Sequence, residues 1–132
     1  MPVLDTVVLF AAADYQDRAH EKALHYMKRL RLEKYYMASF SLLEFDIVLK
    51  SRGITFDERM EKYALLMRDY PAISEKIHSI SPTTLYLLAT LERDVGMEYF
   101  DAAIASEALQ VDGNVVSNDK AFKHVRNLRM IW

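Results

Sequence analysis

Residues 99–122 read YFDAAIASEALQVDGNVVSNDKAF, and this stretch decides the fold class. Small and apolar residues recur at helical spacing over 99–109, which predicts a helix. Gly113 and Asn114 then turn the chain into an apolar run over 115–117, which predicts a buried strand that ends at Asn118 and Asp119. A helix that leads into a short apolar strand is typical of a sheet covered by helices.

The same alternation extends from this stretch to both ends of the chain. Strands are predicted at 2–5, 34–38, 76–80, 115–117 and 128–132. Helices are predicted directly after the first strand and at 15–31, 39–51, 57–69, 82–94 and 99–109. We therefore expect a single α/β domain over 1–132, a three-layer α/β/α sandwich with a central, mostly parallel sheet. Ligands of such sheets bind at the carboxyl ends of the strands.

Two helices carry apolar stripes that we expect to pack on the sheet. In the helix over 15–31 the stripe is formed by Ala19, Ala23, Tyr26, Met27 and Leu30. In the helix over 57–69 it is formed by Met60, Tyr63, Ala64 and Met67. Ser39 and Ser41 are the candidate caps of the helix between them, which Gly53 ends.

Composition limits the classes of protein that the chain can represent. It has 52% hydrophobic residues, no cysteine and a net charge of -2, with a pI near 6.1. Zinc–thiolate sites, disulfides and cysteine nucleophiles are excluded, and bulk positive charge cannot be what holds a nucleic acid. No signal peptide and no apolar run of bilayer length occur, so we expect a soluble, cytoplasmic protein.

Four carboxylates stand where a surface acid is not expected. Asp5 and Asp119 each follow a predicted strand. Glu44 has Phe40, Ile47 and Val48 as its helical neighbours, so it projects from the stripe that should pack on the sheet. Asp101 has Ile104, Ala105 and Ala108 on its own face and also points inward.

Each of these acids taken singly has an ordinary explanation. Asp5 and Asp119 suit helix N-caps, and Asp101 suits the first turn of a helix, where the dipole favours an acid. Taken together, two acids at strand ends and two on inward helix faces can converge on one pocket. Four like charges there repel unless cations neutralise them, and an all-oxygen ligand set suits Mg²⁺ or Mn²⁺.

These four acids and their surroundings resemble the PIN-domain family, especially the VapC-type ribonucleases. The family's opening motif matches Val3-Leu4-Asp5-Thr6, and its helical glutamate matches Glu44 within SFSLLEFDIVLKSRG. The aspartate that begins a later helix matches Asp101 in YFDAAIASEAL, and the final strand motif matches VVSNDKAF over 115–122. The order and spacing of all four motifs fit over nearly the whole chain. Val7 departs from the pattern, since the family often has asparagine at that position.

The resemblance implies a PIN-like fold and a metal-dependent endoribonuclease that uses Mg²⁺ or Mn²⁺. Asp5, Glu44, Asp101 and Asp119 would be the catalytic metal ligands, while Thr6 and Ser117 would bond to ligands or to the attacking water. It also implies a homodimer with a small antitoxin protein as partner. Basic residues follow Asp119, and of these Lys120 and Lys123 are the candidates for binding the RNA substrate.

Three other functions remain to be weighed against this hypothesis. A PIN nuclease could process RNA without a toxin role, and a PIN-like module without activity could bind RNA or protein. A receiver-type signalling module would need paired acids after the first strand and an aspartate after the third. Asp5 stands alone, and the third predicted strand, Ile77-His78-Ser79-Ile80, contains no acid.

The histidines have no metal-ligand spacing, since His20 and His25 are five residues apart.

Overall fold

The computed structural model describes residues 1–32 and 34–132, and its centre is a five-stranded, wholly parallel sheet. The strands are β1 (Val3–Leu4), β2 (Tyr36–Ala38), β3 (Ile77–His78), β4 (Asn114–Val116) and β5 (Arg129–Ile131). Their order in the sheet is β3-β2-β1-β4-β5. β1 thus lies at the centre, and Asp5 directly follows β1, beside the carboxyl end of β4.

Six helices connect the strands in the predicted order. They are α1 (Thr6–Ala13), α2 (His20–Arg29), α3 (Ser39–Ser51), α4 (Phe56–Asp69), α5 (Pro82–Val95) and α6 (Tyr99–Val111). Short 3-10 helices occupy Pro71–Ser74 and Lys120–His124. The predicted helix over 15–31 begins only at His20, because the turn before it is closed by hydrogen bonds to the Asp14 and Asp17 side chains. None of the helices in the described chain has the length and apolar character needed to cross a bilayer.

Side chains that alternate between the two faces of the sheet produce the three layers. Val3 and Val115 belong to a core with α5 and α6, while Leu4 and Val116 belong to a second core with α1, α2 and part of α3. Successive strand residues point to opposite faces, so β1, β2 and β4 each contribute to both cores. The α/β/α sandwich expected from the sequence is confirmed.

The apolar stripe predicted for α2 is confirmed, but the one predicted for α4 is wrong. Ala23, Met27 and Leu30 are buried, whereas α4 has no buried residue and Met60 is 69% exposed. Tyr63 and Leu66 are partly buried against the second core, where the Tyr63 ring lies near Phe45 of α3, but most of the apolar side chains of α4 face outward. Periodicity locates an apolar stripe but does not say what covers it.

The cap predicted for α3 is also different. The side chain of neither Ser39 nor Ser41 caps the helix. The carboxylate of Glu107 on α6 accepts hydrogen bonds from the Ser39 N–H at 2.9 Å and the Phe40 N–H at 3.0 Å. The Ser41 hydroxyl instead donates to the Leu4 carbonyl at 2.9 Å, which ties α3 to the central strand.

Gly113 allows a close approach between the start of β4 and the loop before β5. Its φ is +75°, and a Cβ there would lie 2.7 Å from the Asn127 carbonyl oxygen. Gly53 has nearly the same φ, +74°, but a Cβ added to it would meet nothing within 4 Å. The two glycines therefore differ in crowding and not in backbone conformation.

We predict that Gly113→Ala lowers the free energy of unfolding by about 2–4 kcal/mol, and Gly53→Ala by only about 1 kcal/mol, since left-handed strain is common to both. Urea denaturation of both variants measures the difference. If both variants lose the same free energy of unfolding, crowding against the Asn127 carbonyl does not restrict the residue at position 113.

Candidate active site

Asp5 is a buried carboxylate at the carboxyl end of β1. Its Oδ1 accepts a hydrogen bond from the Thr6 N–H at 2.7 Å, and its Oδ2 accepts one from the Ser117 hydroxyl at 2.7 Å. Burial raises the pKa of Asp5 to about 7, with smaller contributions from the negative charges of Glu44 and Asp101. The two hydrogen bonds oppose this rise without cancelling it.

The Ser117 hydroxyl joins Asp5 to the loop after β4. It is fully buried, donates to Asp5 and accepts a hydrogen bond from the Asp119 N–H at 3.0 Å. The exposed Asp119 carboxylate accepts from the Ala121 N–H at 2.9 Å and so begins the 3-10 helix Lys120–His124. Asp5 and Asp119 therefore both cap helices and still lie at the same edge of the sheet.

Asp101 lies in the first turn of α6 and is partly buried. Burial raises its pKa to about 6, and the negative charges of Asp119, Glu44 and Glu98 add to this rise in that order. Asp101 thus lies within electrostatic reach of acids on α3 and in the loop after β4, and of Glu98 at the N-cap of its own helix. Glu98 was not a candidate site residue in the sequence, because it falls before the helical pattern begins.

Glu44 is partly buried on α3, but the stripe used to orient it was wrong. The buried residues of α3 are Phe40, Ser41, Phe45 and Leu49, and Ile47 is 46% exposed. Glu44 is therefore at the margin of the packed face and not at its centre. Its charge still contributes to the raised pKa of both Asp5 and Asp101.

The four predicted acids form one electrostatic cluster without a compensating cation. Within residues 1–32 and 34–132, none of them forms an ion pair with a lysine, arginine or histidine. In the same part of the chain, no three acid, histidine or cysteine side chains are close enough together to enclose a metal ion directly. Like charges without a counterion separate as far as their backbones permit.

The chemistry of the donors fits a hard divalent cation. Mg²⁺ prefers carboxylate oxygens and keeps several of its waters, so it can be held partly through water by acids that do not touch one another. Thr6 supplies a second observation, since its Oγ1 is the one buried side-chain polar atom of the described residues that has no hydrogen-bond partner. A water or ligand bound at this position would satisfy the buried hydroxyl beside Asp5.

A pocket of about 430 Å³ opens onto the Asp101 and Asp119 side chains. Glu98 and His124 also line it. The candidate substrate-binding residues Lys120 and Lys123 are exposed on the 3-10 helix directly after Asp119. The largest groove lies elsewhere, between α3 and α4, and is lined by none of the four acids.

Glu107 supports the site and was missed by the sequence reasoning. It is fully buried and, besides the two backbone N–H groups of α3, binds the Ser39 hydroxyl at 2.6 Å and His78 Nδ1 at 3.2 Å. It thereby joins α3, which carries Glu44, to α6, which carries Asp101. The signal in the sequence was a glutamate among the small residues Ala105, Ser106 and Ala108. In the structure this part of α6 is buried.

The family model of the PIN domain matches residues 3–128. The chain belongs to the PIN-domain family. PIN domains are typically nucleases and generally use divalent metal ions, in keeping with the acidic edge described above. The family resemblance inferred from the sequence motifs is thus confirmed.

Three solved structures share the fold of this PIN domain. VapBC2 from Rickettsia felis, bound to a DNA fragment from its promoter, is 17% identical, with a TM-score of 0.69 over 98% of this chain and 96% of that one. FitAcB from Neisseria gonorrhoeae is 20% identical, with a TM-score of 0.66 over 92% and 89%. FitAB bound to an IR36 DNA fragment is 18% identical, with a TM-score of 0.71 over 99% and 94%. A search of curated proteins found no match.

We predict that the metal-free PIN domain loses stability as the pH rises from about 4 to about 7, because the folded state holds protons on Asp5 and Asp101 that the unfolded chain releases. Each tenfold difference in proton affinity corresponds to about 1.4 kcal/mol, so Asp5 alone contributes up to about 4 kcal/mol to this loss. Asp5→Asn should remove most of it. Thermal unfolding in chelator at about pH 5 and pH 8 measures the effect, and a wild type equally stable at both would contradict it.

Proposed function

We propose that this PIN domain is an endoribonuclease that depends on Mg²⁺ or Mn²⁺ and acts as the toxin of a toxin–antitoxin pair. The observation that carries the proposal is the group of Asp5, Glu44, Asp101 and Asp119, none of which has a cation partner within residues 1–32 and 34–132. Glu44 and Asp101 raise the pKa of Asp5, and Asp119 and Glu44 raise the pKa of Asp101. Partly buried acids without a cation partner destabilise the folded state. Binding of a divalent cation offsets this destabilisation.

The four acids are the proposed metal ligands, directly or through water. A bound divalent cation would neutralise them, activate a water molecule and stabilise charge on the phosphate during in-line attack. Ser117 holds one oxygen of Asp5 in place by donating to it, and the Thr6 hydroxyl is free to bond to a water or ligand. Because the family pattern is hydrolysis at phosphorus, we expect products with a 5′-phosphate and a 3′-hydroxyl.

RNA is the proposed substrate, and the charge distribution is consistent with a polyanion that meets a metal site. Lys120 and Lys123 lie beyond Asp119, where they can bind phosphates on either side of the cleaved bond. Their neighbours Arg126 and Arg129 add positive charge to the same carboxyl-terminal segment, which has no acid after Asp119. Affinity for RNA should therefore fall with increasing salt.

We predict that the wild type, purified free of any inhibitor, cleaves single-stranded RNA with Mg²⁺ or Mn²⁺ and stops when chelator is added. Asp101→Asn should reduce the rate by about 100-fold or more, because it removes a ligand charge. The matched control is Asp69→Asn, the same change at an exposed aspartate paired with Arg68 on α4. Circular dichroism verifies that both variants fold. Full activity in chelator, or in Asp101→Asn, would be incompatible with the proposal.

The outward face of α3 and α4 is the proposed dimer interface. Phe56 is 79% exposed and Met60 is 69% exposed beside a groove of about 950 Å³ that Leu43 also lines. Contiguous apolar surface of this kind marks a protein interface. The Asp46 carboxylate in the groove is already paired with Arg59 and accepts from the Tyr63 hydroxyl, so the face has no unpaired charge to oppose burial. An apolar face whose charged residues are paired within one chain can pack on the same face of a second copy related by a two-fold axis.

We predict a homodimer in light scattering that Met60→Glu converts to monomer, raising the dissociation constant by at least about tenfold, because it buries a charge without a partner. Leu32→Glu is the control, since Leu32 is 74% exposed and lies outside this face. A monomeric wild type, or equal effects of the two variants, would rule out the interface.

A small antitoxin protein is the second proposed partner. Two of the structures similar to this one contain DNA together with their protein pairs, VapBC2 and FitAB. By analogy, the partner of this chain would be short, would bind DNA and would inhibit cleavage. Co-purification of such a protein from the native host, with RNA cleavage restored after its removal, would support the toxin role. Cleavage unaffected by any bound partner would favour an RNA-processing role instead.

A further inference from the structure

A separate pocket lies at the carboxyl edge of β4 and β5, on the α2 side of the sheet. Its volume is about 520 Å³, within the range of small-molecule sites. The side chains of Arg18, Lys22, Asn118 and Trp132 line it, with Asp17 at the margin. None of them has a role in the cluster of four acids.

Strand pairing fixes this pocket beside the proposed active site. Val116 pairs with Ile131, and the Ser117 N–H donates to the Ile131 carbonyl at 2.9 Å. Trp132, the next residue after Ile131, is therefore level with Ser117, the residue before Asn118. Asn118 stands between Ser117, which binds Asp5, and Asp119 itself.

The chemistry of the pocket is that of a nucleotide site. The indole of Trp132 is partly exposed, with the Lys22 Nζ 5.4 Å from its ring centroid and the Tyr26 ring at 6.3 Å. Aromatic rings stack with unpaired bases, lysine and arginine bind phosphates, and an asparagine amide can bond to the edge of a base. The Asp17 carboxylate accepts a hydrogen bond from the Ala19 N–H at 2.8 Å, and with Arg18 and Lys22 the side chains that line the pocket carry one more positive than negative charge.

The cations of this pocket are accessible to a ligand. Lys22 and Arg18 form no ion pair with an acid anywhere in residues 1–32 and 34–132. Lys22 is exposed, so its ammonium can leave the indole ring without disturbing a packed core. Displacement of Lys22 from Trp132 opens the ring to a base and brings the ammonium to the adjoining phosphate.

We infer that this pocket holds one unpaired nucleotide of the RNA next to the cleaved bond. The base lies against Trp132, its edge meets the Asn118 amide, and its phosphate is bound by Lys22 and Arg18. The inference rests on the proposed ribonuclease function and gives it a stacking subsite that is separate from the pocket lined by Asp101 and His124. Double-stranded RNA would bind poorly there, because its bases are already stacked on each other.

Trp132 is the only tryptophan of the chain, so its fluorescence reports on this pocket alone. The probe is a single-stranded hexauridylate, titrated in Asp101→Asn protein so that no cleavage intervenes. We expect the fluorescence to be quenched on binding. Lys22→Ala in the same background should weaken binding by about tenfold. It should also reduce the slope of the log binding constant against log salt concentration by about 0.7, the value for one lost phosphate contact on a single strand. Lys28→Ala, at an exposed lysine of the same helix, should change neither quantity.

Binding without quenching, or equal losses in Lys22→Ala and Lys28→Ala, would overturn the subsite. Asn118→Ala gives a second measurement that does not alter charge, and it should also weaken binding. Cleavage of the same RNA by wild type with Mg²⁺ tests the proposed function separately. Cleavage without the Trp132 signal refutes only the subsite. Quenching without cleavage under any metal refutes the nuclease, and with it the position of the nucleotide beside a cleaved bond, but not the binding of a nucleotide in the pocket.

Discussion

The carboxylate of Asp5 stands at the end of the central strand almost out of contact with water, and the active-site edge is arranged around it. Burial alone would leave this group protonated near neutral pH. Two hydrogen bonds, from Thr6 and Ser117, hold its oxygens in fixed directions without fully stabilising the charge. The same Ser117 hydroxyl accepts from the Asp119 backbone, so the register of β1 against β4 determines how far apart the two acids lie. A slip in that register would separate them.

The helices that carry the other two acids are coupled by a different buried carboxylate. Glu107 takes the place of a local cap on α3 and binds two backbone N–H groups, a hydroxyl and His78. Glu107 is fully buried and has a partner for each oxygen, including the His78 ring. Asp5 also has a hydrogen bond to each oxygen, but no acid of the cluster has a cation partner among the described residues. Acids without a counterion at a sheet edge are where a cation lowers the free energy most.

Much of the fold and part of the site could be predicted from the sequence. The order of elements was readable because short apolar strands and periodic helices are local patterns. Asp5 directly follows β1 and Asp119 comes three residues after the end of β4, so both lie at the carboxyl edge of the sheet, where the sequence predicted them. The orientation of Glu44 was wrong, since the apolar residues of α3 surround most of the helix and do not define one face. The α4 stripe was misassigned because covering it depends on contacts outside the helix. Glu107 and the Trp132 pocket depend on contacts between residues far apart in sequence, which periodicity does not contain, and Glu98 precedes the helical pattern of α6.

The central claim is that the four acids share bound cations, and manganese diffraction tests it most directly. A crystal soaked in Mn²⁺ and measured at the manganese absorption edge locates the ion independently of any assumption about ligands. We predict an anomalous peak between Asp5, Glu44, Asp101 and Asp119, with at least one carboxylate oxygen at about 2.0–2.3 Å and water completing the coordination. A well-diffracting soaked crystal with no peak there, or with its peak at other residues, would contradict it.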